Sequence, residues 1–210
     1  MLDVHPPEHT PHSWRDFFIH IATICVGLLI AVGIEQTVEY IHHRREVAEA
    51  RKRIRTELTD DRETIRYNIA ALTNAQQQWQ VDSDILQQST PSPESLANLK
   101  YTWKLNLLST AAWQTAGKTG TLSLLHPEEA DRYTYMYTLL DHNIGSGATY
   151  IQQVDTAKTI AARLHRQGSV SPADQQRLLT LTDELAGSAA EQLEMYTFAD
   201  ASLQRWLAQH

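Results

Sequence analysis

Phe17-Phe-Ile-His-Ile-Ala-Thr-Ile-Cys-Val-Gly-Leu-Leu-Ile-Ala-Val-Gly-Ile34 decides how the rest of this chain is read. These eighteen residues carry no formal charge when His20 is neutral. As a helix they would extend about 27 Å at a rise of ~1.5 Å per residue, close to the roughly 30 Å hydrocarbon core of a bilayer. Ser13-Trp14-Arg15-Asp16 predicts the helix start as a capping box, with Ser13 as N-cap and Asp16 at N3. Pro6, Pro7 and Pro11 oppose helix before it, so residues 1–12 are expected to form a disordered tail. Trp14 and Tyr40 lie near the two ends, where amphipathic rings favour the headgroup region. A cleaved signal peptide needs a basic n-region, and residues 1–12 contain no Lys or Arg. The nearest small-x-small site, Ala31-Val32-Gly33, falls inside the apolar run. A retained anchor over residues 13–39 is therefore expected; a leader and a buried helix of a soluble protein are the rivals. No other segment matches this length and apolarity, which implies a single pass.

The flanking charges predict sidedness. Arg44, Arg45, Arg51, Lys52, Arg53 and Arg55 follow the run, against Glu46 and Glu49, while Arg15 alone precedes it. The positive-inside rule then places the C-terminal domain in the cytoplasm. Arg44, Arg45, Arg51, Lys52 and Arg53 are candidate contacts for anionic lipid headgroups. The other reading of this stretch is a helix laced by i,i+4 ion pairs, such as Glu49 with Arg53. Thr23, Gly27 and Ala31 recur every four residues and form a small-xxx-small stripe, a candidate face for homodimer pairing. Plain membrane-helix composition explains the same residues without pairing.

Beyond the anchor the chain reads as all-α. Gly and Pro are absent between Ile34 and Thr90, which predicts a stalk and first bundle helix over residues 40–89. Leu58, Ile65, Leu72, Trp79 and Leu86 repeat every seven residues, but the companion positions Ile54, Asp61, Asn68, Ala75 and Asp82 are only partly apolar. A dimeric coiled coil wants both seams apolar, so packing against helices of the same chain is favoured. Residues 90–210 should supply the remaining helices of an up-and-down bundle of about four. Ser92 and Pro93 start the second, which is expected to run to about residue 116. Pro127 with Glu128 and Glu129 starts the third, which Gly145 and Gly147 threaten to break and Gly168 closes. Ser171-Pro-Ala-Asp174 caps the last.

Trp14-Arg-Asp-Phe-Phe18, Gly27-Leu-Leu-Ile-Ala-Val-Gly-Ile-Glu35 and His42-His-Arg-Arg45 together resemble a family of uncharacterised bacterial single-pass membrane proteins. Ala112-Trp-Gln-Thr-Ala-Gly-Lys-Thr-Gly120, followed by Leu122 to Tyr137, resembles a second segment of that family. The resemblance covers roughly a third of the chain. It implies a membrane-anchored helical protein and carries over no catalytic residue.

Composition narrows the chemistry. Residues 1–55 hold seven basic and seven acidic residues, so the net charge of −7 resides in residues 56–210. An acidic domain is a poor surface for nucleic acid, which recruits clustered Lys and Arg. Cys25 is the one cysteine, which leaves no intrachain disulfide and no thiolate metal cluster. Glu39-x-x-His42 is a weak metal candidate: bundle di-metal sites use two such pairs, and this chain has one. His20 is an ionisable group within the apolar run and so a functional candidate. Gly117-Lys-Thr119 is not a phosphate loop, because position 112 is Ala where the motif needs Gly. No Gly-x-Ser-x-Gly, His-Glu-x-x-His or Cys-x-x-Cys is present. Trp103, Trp113, Tyr133, Tyr137 and Tyr150 are expected to fill the core, or to wall a ligand pocket.

The expectation is a non-enzymatic, cofactor-free scaffold or interaction protein, with the bilayer, a second copy of the chain and an unknown protein as partners. Ligand sensing by the bundle, with relay to a membrane partner, is the alternative; metal binding is a weaker one.

Overall fold

A computed structural model describes residues 14–209. The expected N-cap Ser13 and the tail at 1–12 lie outside the described residues. The helices are α1 Trp14–Leu86, α2 Pro93–Ala97, α3 Ala111–Lys118, α4 Pro127–Gln167 and α5 Pro172–Gln209, with a 3-10 turn at Thr121–Leu124. The described residues contain no strand, so the fold class is all-α. The chain divides into two units, residues 1–48 and 49–210.

In the first unit the described residues are helical throughout, since nothing from Trp14 to Ala48 breaks the backbone ladder. Thr23 and Thr37 turn their hydroxyls back onto the carbonyls of Ile19 (2.9 Å) and Gly33 (2.7 Å). These two hydroxyl donors are thereby satisfied within their own helix, as a hydrocarbon environment favours.

In the second unit three long helices surround one core. Leu58, Ile65 and Leu72 are fully buried, and Trp79 and Leu86 nearly so. The seven-residue seam is thus taken up within the chain rather than by a second copy. Pairings fix the directions. Arg62 meets Asp200 and the Leu86 carbonyl meets Gln175, so α5 runs antiparallel to α1. Arg51 meets Glu129, Glu57 meets Tyr137 and Trp79 meets Tyr150, so α4 runs parallel to α1. Arg163 with Asp174 closes the α4–α5 hairpin (2.6 Å).

The element between α1 and α4 differs from expectation. A second long helix to about residue 116 does not form. α2 spans five residues, and the chain then runs extended from about Lys100 to Thr110 before α3. This strap descends α1 in place of a helix, which preserves the up-and-down order. Its backbone is held by the α1 positions that broke the apolar pattern. Asp82 accepts the Lys100 amide (3.1 Å), Asn68 accepts the Asn106 amide (2.8 Å), and Asp61 accepts the Ser109 amide (2.8 Å). Asn68 also donates to the Asn106 carbonyl (2.9 Å) and to the Tyr196 hydroxyl (3.2 Å).

The spacing has a geometric cause. Twenty-one helical residues from Asp61 to Asp82 rise about 32 Å, and nine extended residues from Lys100 to Ser109 reach about 30 Å. Seven residues of helix therefore match three of strap. Buried amides need partners, and polar side chains at three of the four heptad positions from 61 to 82 supply them in register.

Local signals elsewhere act as read. Ser171 caps α5 by accepting the Asp174 amide (3.1 Å), and its hydroxyl donates to the Asp174 carboxylate (3.0 Å). Gly168 takes a left-handed φ of 63° and ends α4. Gly145 and Gly147 do not interrupt α4: packing holds the helix through them, and a Cβ at Gly147 would meet the Tyr196 hydroxyl at 3.7 Å, an ordinary contact.

Candidate functional site

The first candidate feature is the apolar segment of α1. Its most apolar 18-residue window has a mean hydropathy of 2.5, and none of it is buried. One helix among the described residues is thus long and apolar enough to cross a membrane. Trp14, Phe17 and Phe18 cluster at its start, with ring centroids 5.8–6.1 Å apart. Thr23, Gly27 and Ala31 are all exposed, and nothing lies within 4 Å of a Cβ placed on Gly27. Cys25 is exposed and free.

The polar boundary after it is organised by i,i+4 contacts. His42 faces Glu46 at 3.1 Å and His43 faces Glu39 at 3.9 Å, while Arg44 sits 5.7 Å from the Tyr40 ring centroid. Glu39 and His42 thus turn to different partners. Among the described residues no group of three or more His, Cys, Asp or Glu side chains converges as a metal cage.

The basic stretch is split between roles. Arg51 makes a bidentate pair with Glu129 of α4, Nε to Oε1 at 2.7 Å and Nη2 to Oε2 at 2.6 Å. This fork geometry holds the Glu129 carboxyl below its usual range. Arg53 pairs with Glu49, the i,i+4 contact expected from sequence. Arg44, Arg45 and Lys52 have exposed side chains.

The second feature is a groove of about 710 Å³ between α1 and the strap–α3 junction, lined by Lys52, Arg53, Glu57, Asp60, Asp61 and Ser109 among others. Glu57 is its organising group. Its Oε1 accepts the Tyr137 hydroxyl (2.7 Å), and its Oε2 accepts the Ser109 hydroxyl (2.7 Å) and the Ala112 amide (2.9 Å). Burial raises the Tyr137 hydroxyl pKa, and the Glu57 carboxylate raises it further. Trp113 stacks on Tyr137 with centroids 5.0 Å apart and planes 13° apart. Tyr133 is pushed up to about 12, first by burial and then by Glu129.

Asp61 lies four residues on, 3% exposed. Its Oδ1 accepts the Ser109 amide, but its Oδ2 is buried without a partner. Burial raises this carboxyl to about 7, the Ser109 amide opposes the shift, and the charges of Glu57 and Asp60 add to it. One proton near neutral pH therefore separates a charged Asp61 from a neutral one.

Sequence reading missed Asp61, Asn68 and Asp82 as a group. The available signal was their spacing, three polar residues on a heptad position whose neighbours are apolar. Serine and tyrosine hydroxyls do meet at the Glu57 carboxylate, and each Glu57 oxygen is engaged in holding the strap, α3 and α4. The arrangement binds and positions chain segments.

Compared with known proteins, the chain matches no family model, no curated protein and no solved structure.

Proposed function

We propose that this chain is a single-pass membrane protein whose helical domain acts as a tethered interaction module rather than as an enzyme. The carrying observation is the uncovered apolar segment. Eleven large apolar side chains between Phe17 and Ile34 are exposed. At ~1.5 kcal/mol or more for each large apolar side chain left in water, the penalty is on the order of 10–20 kcal/mol. That rivals the whole stability of an ordinary domain, ~5–15 kcal/mol, so an apolar phase must cover the segment. Lipid suits its length, its aromatic cluster at Trp14 and its internally satisfied threonines.

The basic flank after residue 40 favours the C-terminal domain on the cytoplasmic face of a bacterial inner membrane, with Arg44, Arg45 and Lys52 offered to anionic headgroups. The resemblance of residues 14–45 and 112–137 to bacterial single-pass proteins points the same way. Confinement to two dimensions raises the effective concentration of the domain for membrane-bound partners. The Thr23, Gly27 and Ala31 stripe is the pairing face in this reading.

Alkaline carbonate washing of membranes that hold the full-length chain tests the tether. Retention in the pellet is expected, along with protease protection of residues 17–34; release into the supernatant would sink it. Crosslinking from native membranes then identifies the partner.

A second reading, ligand sensing, is favoured by the unpartnered Asp61 Oδ2 beside the groove. In that reading occupancy of the groove shifts the Asp61 proton and the strap it holds. Ligand-induced protection of the Ser109 amide from hydrogen exchange tests it, and unchanged exchange across groove-binding candidates would count against it.

A further inference from the structure

The strap leaves one gap along α1. Asp82, Asn68 and Asp61 each take a strap amide, but the position between Asp82 and Asn68 is Ala75, which has no polar atom to offer. The strap residue in matching register, Trp103, sends its indole N–H to Asp155 of α4 instead, at 3.1 Å. A pocket of about 350 Å³ occupies the gap, within the size range of small-molecule sites.

Its lining is chemically distinctive. Trp79 and Tyr150, each 2% exposed, form an aromatic floor with centroids 5.7 Å apart. Lys100 and Lys104 stand on the strap side, and no acidic residue lines the pocket, in a chain whose net charge is −7. Asp82 feels the Lys100 charge, but it is fully buried and already accepts from Gln78 (2.9 Å) and from the Lys100 amide. Among the described residues the Tyr150 hydroxyl finds no hydrogen-bond partner, and burial alone raises its pKa. Tyr150 lines the pocket, so its hydroxyl is a donor that a ligand acceptor can engage.

We propose that this pocket binds a small organic anion, a carboxylate on a flat apolar body. Lys100 and Lys104 hold the carboxylate, the Tyr150 hydroxyl donates to one of its oxygens, and the body lies over Trp79 in the space that Ala75 leaves open. Neutral analogues lose the two charge-assisted contacts, and cationic ones meet repulsion. The pocket is built only from residues 67–150. A failed titration therefore leaves the tether untouched, and a failed tether leaves the titration informative.

Titration of the full-length chain in mild detergent with indole-3-carboxylate, against indole-3-carboxamide and a protein-free blank, tests the proposal. Saturable binding of the acid is expected, at least roughly tenfold tighter than the amide. The double variant Lys100→Ala with Lys104→Ala should weaken it about tenfold or more, and Tyr150→Phe about threefold or more. Ala75→Leu should abolish it by filling the space. The lysine side chains are exposed and Tyr150→Phe removes only an unpartnered hydroxyl, so these variants keep the fold, with matched urea midpoints as the check. Equal affinity for acid and amide, binding indifferent to the lysine pair, or no saturation up to roughly 10 mM would overturn the assignment.

Discussion

Replacing Asp61 by Asn removes one titratable proton and leaves the strap contact in place. The Asn carbonyl still accepts the Ser109 amide, as Asp61 Oδ1 does at 2.8 Å. The buried Oδ2, which has no partner, becomes an amide nitrogen. In the native chain the folded carboxyl titrates at about 7 against an ordinary 3.8, because burial disfavours its charged form. Since the folded state holds this proton more tightly than the unfolded state does, the associated stability is complete below the unfolded value. It is lost as pH rises through about 7. A shift of ~3 pK units at ~1.4 kcal/mol each puts the full span near 4 kcal/mol. Between roughly pH 5 and pH 8 the part traversed is ~2–3 kcal/mol. The advantage of Asp61→Asn over the native chain should therefore grow by about that amount across this interval. A constant cost for the buried amide cancels from the difference. Urea melts of the full-length chain in detergent at several pH values, followed by tryptophan fluorescence, measure it. A difference between the two proteins that is flat with pH, or that shrinks toward pH 8, would refute a desolvated carboxyl at this position.

Four other outcomes follow from the same structure. Asn68→Leu strands the Asn106 amide and carbonyl, so it should cost about 2–4 kcal/mol in urea melts and speed hydrogen exchange at Asn106. Gly145→Ala should stabilise α4 by up to ~1 kcal/mol, because the site is helical and open. Gly168→Ala should cost about 1 kcal/mol or more, because φ there is 63°; thermal melts of both variants check the pair. Gly27→Ile should weaken association of the apolar helix in an in-membrane reporter assay, and unchanged association would remove the small-residue stripe from consideration.

Local physics made much of the architecture legible without coordinates. The apolar run at 17–34 needed only a count of side chains against bilayer thickness. Leu58, Ile65, Leu72, Trp79 and Leu86 announced a buried helical face because their spacing returns to one side of an α-helix. Ser171 with Asp174, Pro127 and Gly168 marked helix ends because caps and left-handed turns depend on neighbours a few residues away. Residues 98–110 were beyond such reasoning. Their helix was expected from a good start at Ser92, and an extended strap formed instead. Its amides are satisfied 18 to 48 residues back along the chain, by Asp82, Asn68 and Asp61. Those three residues read as flaws in an apolar seam until their partners were in place. The polar groove, the proton on Asp61 and the pocket over Ala75 all descend from that pairing. Tertiary structure alone decided them, because a buried polar group takes its meaning from whatever the fold sets opposite it.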